Sequence, residues 1–304
     1  MSYLLKPMSY VLIIVLGYTL KRTGFLRRDD QKILSKIMFN VTLPCTIIQG
    51  FADFERDASL FFLAIVGFLF ALAPVIYMYA TTGGVDKKLR AYRMINISGY
   101  NVGCFSLPLI ETFFGSTGVV VSCLFDAGNA IMMTAGVYAM TSTLLKTGGR
   151  KESGKDILMK FLSSLPFDTY MLMFALTLFN IAIPDAVFVL TRPAGQANGF
   201  FAMLIIGLMF EPMGDKALLR ETAREMAHRM VFSVLTAAAC YFLLPYSPLV
   251  RQTLAVLCFA PLASLAPINT ERCGGDTALA SFTNSVSIAL SLICMMTLGM
   301  VFMA

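Results

Sequence analysis

Twenty of the 24 Lys and Arg residues fall in every second gap between apolar stretches of this 304-residue chain. These gaps hold Lys21, Arg22, Arg27, Arg28, Lys32 and Lys36; then Lys87, Lys88, Arg90 and Arg93; then Lys146, Arg150, Lys151, Lys155 and Lys160; then Lys216, Arg220, Arg224 and Arg229; and last Arg272. Positive residues near span ends stay on the cytoplasmic side. The pattern therefore predicts an integral protein of the plasma (bacterial inner) membrane, odd loops inside and both termini outside. Ten spans satisfy it, over 7–26, 33–52, 59–80, 92–114, 118–145, 163–183, 187–210, 230–246, 249–270 and 277–303.

Composition agrees. The chain is 57% hydrophobic and 14% charged, with a mean hydropathy of +0.74, more apolar surface than a water-soluble fold can hide. A span needs about 20 apolar residues, so ten spans leave only short loops and no soluble domain. The net charge of +6 is divided among loops rather than gathered on one face, which argues topology and not nucleic acid. The seven cysteines show no metal or disulfide-framework spacing and read as small buried hydrophobes. The first apolar stretch has its positive charges after it, so it is expected to be retained as a span.

The polar segment Thr147–Asp156 divides the spans five and five. The expected organisation is a first five-helix repeat over 1–145, a cytoplasmic loop over 146–162 and a second repeat over 163–304. Because five is odd, the halves point in opposite directions. That is the arithmetic of an inverted repeat, whose substrate site lies at the midplane between discontinuous helices.

Helix breaks are expected where Pro and Gly collect. The second span carries Asn40 and Pro44, the fourth Asn101, Gly103 and Pro108, and the ninth Pro261 and Pro267. A proline removes a donor and clashes with the preceding turn, and the freed carbonyl must be satisfied by protein or by water in a cavity. Spans four and nine are equivalent in a five-plus-five repeat, so two broken helices would cross and aim half-helix ends at one point. Positive N-terminal ends then offer an anion site without a basic side chain. A single kink at Pro108 is the simpler alternative for that residue alone.

At these residues the chain resembles the auxin efflux carrier family, which includes bacterial dicarboxylate permeases and the plant auxin carriers. LGYTLKRTGFLRRDDQKILSKIMFNVTLP, Leu16 to Pro44, is similar to that family's opening; NVGCFSLPLIETFFG, Asn101 to Gly115, to its fourth-span signature; and PLASLAPINTERCGGDTALASFTNS, Pro261 to Ser285, to its ninth-span proline and final helix. Gly207 with LMFEP lies where the family has a Gly-Leu-x-Leu segment. The resemblance implies an all-α membrane protein of ten transmembrane helices in two inverted five-helix repeats, with broken helices four and nine crossing as in sodium/proton antiporters and bile acid symporters. It makes Pro108 and Pro261 the crossover residues and Asn101 the leading contact for a substrate carboxylate. Two departures bear on the substrate: Phe200 stands where a small residue or proline is common, and Ser106 where glycine is common.

Ionisable side chains at membrane depth are functional candidates. Asp126 lies mid-span with Asn129 one turn away on the same face. It could exchange a proton or, with neutral oxygens, hold sodium; a structural carboxylate bonded across helices is the competing reading. Arg192 near the outer end of span seven would pair with Glu111, draw in an anion, or simply snorkel to the interface. Glu211 reads as interfacial. Ser264, Asn269 and Thr270 follow Pro261 and could supply neutral donors at the second break, although such side chains more often bond their own helix. The Gly99–Gly103 spacing suits close helix approach.

Catalysis is disfavoured: the single histidine, His228, lies in a basic loop, which excludes serine–histidine and histidine–metal chemistry. No phosphate-binding glycine loop is present for ATP-driven transport. A receptor would extend its loops, and a channel would need a continuous pore. The expectation is a secondary carrier of small organic mono- or dicarboxylates working by alternating access, with no cofactor beyond proton or sodium coupling. The alternative is a cation-coupled antiporter or sodium/organic-anion symporter of the same crossed-helix design. Expected partners are the organic anion and the lipid bilayer, with a homodimer left open.

Overall fold

A computed structural model describes residues 2–27, 29–52, 58–147, 165–210 and 216–303. The basic loop expected over 146–162 and Glu211 therefore lie almost wholly outside the described residues. All regular structure among them is helical. In chain order the helices are α1 (Ser2–Arg22), α2 (Asp30–Gly50), α3 (Phe62–Thr81), α4 (Lys87–Asn96), α5 (Val102–Leu145), α6 (Leu165–Leu178), α7 (Asp185–Met209), α8 (Lys216–Leu243), α9 (Pro248–Leu257), α10 (Ala266–Arg272) and α11 (Thr277–Met303).

Each of the ten expected apolar stretches carries helix, and among the described residues five helices are long and apolar enough to cross a membrane: 30–50, 59–81, 102–145, 218–243 and 277–303. Apolar side chains cover much of the outside, among them Leu12, Val189, Leu190, Phe242 and Ile293, which suits lipid as solvent. The 44-residue helix α5 is too long for one pass of a bilayer about 30 Å thick. It bends at Gly115, whose φ of +62° and ψ of −153° leave helical space, so the chain turns there between expected spans four and five.

The helix interiors carry short π-helical turns at Met38–Thr42, Val102–Ser106 and Met132–Gly136. Two of these come just before a helix segment with proline in its first turn, Pro44 and Pro108. The extra residue in the turn accommodates a ring that has no N–H to give and no room behind it. The expected fractures at these two prolines are thus widened turns, and Pro108 lies inside a continuing helix.

True interruptions separate α4 from α5 and α9 from α10. The first is centred on Gly99, whose φ of +79° suits a residue without a Cβ. A methyl group there would also stand 3.2 Å from the Cβ of Ala263 in the second interruption. The backbone N–H of Asn101 donates to the carbonyl of Pro261 at 2.9 Å, so the two interruptions touch. On the far side of the crossing, α3 and α5 approach so closely that a Cβ on Gly128 would lie 1.7 Å from the Ala64 carbonyl oxygen. That contact fixes the stretch of α5 bearing Asp126 and Asn129.

Candidate functional site

Unwinding a helix in an apolar setting leaves peptide groups that cost several kcal/mol each if unbonded, and the sequence supplies partners for them. Asn129, fully buried on α5, pairs its amide with the peptide of Tyr100: Tyr100 N–H donates to Oδ1 at 3.0 Å, and Nδ2 donates back to the Tyr100 carbonyl at 2.8 Å. The same Nδ2 donates to Asp126 Oδ1 at 2.8 Å. Ser106 donates both its N–H and its hydroxyl to the Asn101 carbonyl, each at 3.2 Å. In the second interruption, the Leu262 N–H donates to Ser287 Oγ of α11 at 3.2 Å.

The largest contribution comes from a residue that the charge pattern assigned to a basic loop. Arg229 of α8 is 6% exposed. It donates to the carbonyls of Ile97 at 2.9 Å and Gly99 at 2.7 Å in the first interruption, and of Ala260 at 2.9 Å in the second. Its guanidinium also lies 5.3 Å from the ring centroid of Tyr100, within cation–π range. One fork with five donors can serve three carbonyls at once. Arg229 thus puts a buried cation where the two interruptions meet, although no basic side chain lines the cavity in front of them. Asn96 adds a second tie, donating to Thr270 Oγ1 of α10 at 3.0 Å. Neither residue was marked by sequence spacing.

In front of the crossing lies a cavity of about 310 Å³. Its walls are Phe39 and Leu43 of α2, Asn101 to Cys104 at the start of α5, Asp126, Ala130, Met133 and Thr134 further along α5, Pro166, Phe167 and Tyr170 of α6, and Ser264 and Leu265 before α10. Asn101 is the residue preceding α5 and Leu265 the residue preceding α10. The N-terminus of α5 therefore borders the cavity, where the helix dipole favours negative charge; α10 offers less, because the Ala266 N–H is bonded to the Ala263 carbonyl and Pro267 has no N–H. Asn101 Nδ2 donates to Ser264 Oγ at 2.9 Å across the gap between them. Ser264 also borders a second, more polar cavity of about 260 Å³ with Gln31, Glu271, Thr277, Ser281 and Asn284.

Of the residues singled out from sequence, Asn101, Ser264 and Asp126 line the first cavity, with Asn129, Ser106 and Pro261 directly behind them through the bonds above. Four lie elsewhere. Pro108 is buried one turn into α5, beyond the interruption. Asn40 is exposed and donates to the Lys36 carbonyl of its own helix at 2.7 Å, while its neighbour Phe39 takes the cavity wall. Asn269 is buried on α10 away from the cavity lining. Arg192 is exposed on α7, also outside the lining. All seven cysteines are free.

Two interrupted helices bonded to each other beside a cavity in an apolar helical protein suit a membrane transport protein. The chain belongs to the membrane transport protein family, the auxin efflux carrier family of the sequence resemblance, whose description matches residues 7–159. It is similar to an uncharacterized transporter of Methanothermobacter thermautotrophicus, 23% identical over 94% of both chains. It is also similar to an uncharacterized transporter of Methanocaldococcus jannaschii, 26% identical over 69% of this chain and 71% of that one.

Proposed function

We propose that this integral membrane protein is a secondary carrier of small organic anions, working by alternating access between two inverted five-helix halves with both termini outside. The observation that carries the reading is the cavity at which the helix starts after both interruptions converge, with Asn101 and Ser264 at their tips. An anionic headgroup would meet the N-terminus of α5 and exchange for the Asn101–Ser264 hydrogen bond. Most of the remaining wall is apolar, contributed by Phe39, Leu43, Val102, Met133, Phe167 and Leu265. That lining favours a monocarboxylate with an apolar body over a dicarboxylate, whose second charge would have no partner and would face Asp126.

Asp126 supports cation coupling as a second reading. Its Oδ1 is held by Asn129, and the carboxylate borders the cavity. A proton or sodium ion on Asp126 would offset its repulsion of the bound anion, and Asn129 would report that change to the Tyr100 peptide.

The test is a thermal-shift screen of purified protein against a carboxylate panel, with and without sodium and at two pH values, since ligands of the folded state raise its apparent stability. The expected result is selective stabilisation by monocarboxylates that Asn101→Ala reduces at least about tenfold in affinity, the effect of losing one bond to an anion of about 1.4 kcal/mol. Equal affinity in the folded variant would refute the assignment.

A further inference from the structure

Glu225 of α8 is 1% exposed and has no part in the crossing. It borders a separate polar cavity of about 220 Å³, enclosed by Tyr77, Met78, Thr81 and Thr82 of α3, Arg93 of α4, and Arg224 and His228 of α8. Several of the donors around it are committed elsewhere. Thr81 donates to the Tyr77 carbonyl at 2.9 Å and Thr82 to the Met78 carbonyl. Arg93 pairs with Glu221 at 2.6 Å. Arg229, one turn along α8, spends its guanidinium on Ile97, Gly99 and Ala260. His228 Nδ1 lies 2.8 Å from the Arg224 carbonyl. Among the described residues, Glu225 Oε1 meets no hydrogen-bond partner.

A buried carboxylate with one oxygen left without a donor is costly to keep ionised, even between two guanidinium groups. From this geometry we propose that Glu225 is a proton-binding site, loaded and emptied through the polar cavity. A proton bonded to a carboxyl oxygen removes the charge and supplies an O–H that can donate into the cavity. A metal ion fits poorly, because Arg93 and Arg229 bracket the position from α4 and α8. The other charged or titratable groups facing Glu225 are Glu221, Arg224 and His228 on its own helix, Tyr77 on α3 and Tyr92 on α4. From α11, Thr283 contributes only a hydroxyl, bonded to Tyr92 and Thr222. Because Glu225 and Arg229 are four residues apart on one helix face, the arriving proton changes the charge beside the guanidinium that grips both interruptions. Protonation in this side cavity is thereby felt at the crossing, without any contact with the substrate cavity.

The test is infrared difference spectroscopy of the full-length protein in lipid during a pH titration, following the carbonyl stretch of a protonated buried carboxyl. The expected result is a band that grows as pH falls, shifts when the protein carries isotope-labelled glutamate, is lost in Glu225→Gln and persists in Asp126→Asn. Because seven glutamates share the label, Glu225→Asp serves as a second variant that keeps a carboxyl: the labelled-glutamate band should vanish in it too, and its survival there would equally overturn the assignment. Absence of any glutamate-derived band, or its survival in folded Glu225→Gln, would overturn the assignment. Neither outcome depends on whether the protein binds a carboxylate.

Discussion

At the scale of single residues, the crossing is held by side chains that substitute for missing helix bonds, and Arg229 is the chief of them. Arg229→Lys keeps the charge but cannot fork to three carbonyls. It should cost on the order of 1–3 kcal/mol, the penalty for leaving a buried acceptor unpaired, read as a lower melting temperature, with Arg229→Met lower still. A melting temperature unchanged in both variants would show that the three bonds carry no stability. Asn101, Ser264, Asp126 and Asn129 were legible because a polar side chain in an apolar run has few other reasons to be there. Arg229 was not, because a basic residue near a span end fits the topology pattern equally well whether it faces the cytoplasm or turns inward. Asn40, four residues before Pro44, returns its amide to its own helix, a choice of partner that spacing does not reveal.

At the scale of elements, the first interruption follows glycine rather than proline, whereas the second, over 258–265, carries Pro261 and no glycine. Proline tolerates the first turn of a helix, where its absent N–H is not needed, and the π-helical turns absorb its ring at Pro44 and Pro108. A φ of +79° at Gly99 has no such accommodation for other residues. Gly99→Ala should cost about 1–2 kcal/mol for the left-handed backbone, with added crowding against Ala263, and should weaken ligand binding at the crossing more than Pro108→Ala does. Comparable effects from both would return the break to the proline. Gly128→Ala should be harsher, forcing α3 and α5 apart at the Ala64 carbonyl, and a loss of monodisperse protein on size-exclusion chromatography would register it. That spans four and nine break could be read from paired prolines in the sequence. Where they break could not, because backbone sign at a glycine is set by the partner segment it must touch.

At the scale of the whole molecule, alternation of apolar stretches and basic gaps located helix in all ten expected places, because burial in lipid demands long apolar segments regardless of detail. Helices α4, α9 and α10, of 10, 10 and 7 residues, escape a reading by length alone, since each is too short to be recognised as a span. If Asp126 couples an ion, Asp126→Asn should abolish uptake driven by a proton or sodium gradient while leaving flux driven by the substrate's own gradient; an unchanged gradient dependence would remove the residue from coupling. In the proposed cycle one cavity where the two interruptions meet is exposed to each side of the membrane in turn, and counterflow in proteoliposomes reads that alternation. With an excess of unlabelled carboxylate inside, wild-type protein should accumulate the labelled carboxylate transiently and saturably, and Asn101→Ala should lose that overshoot. Flux that rises linearly with concentration and ignores the internal carboxylate would contradict a carrier and leave a pore in its place.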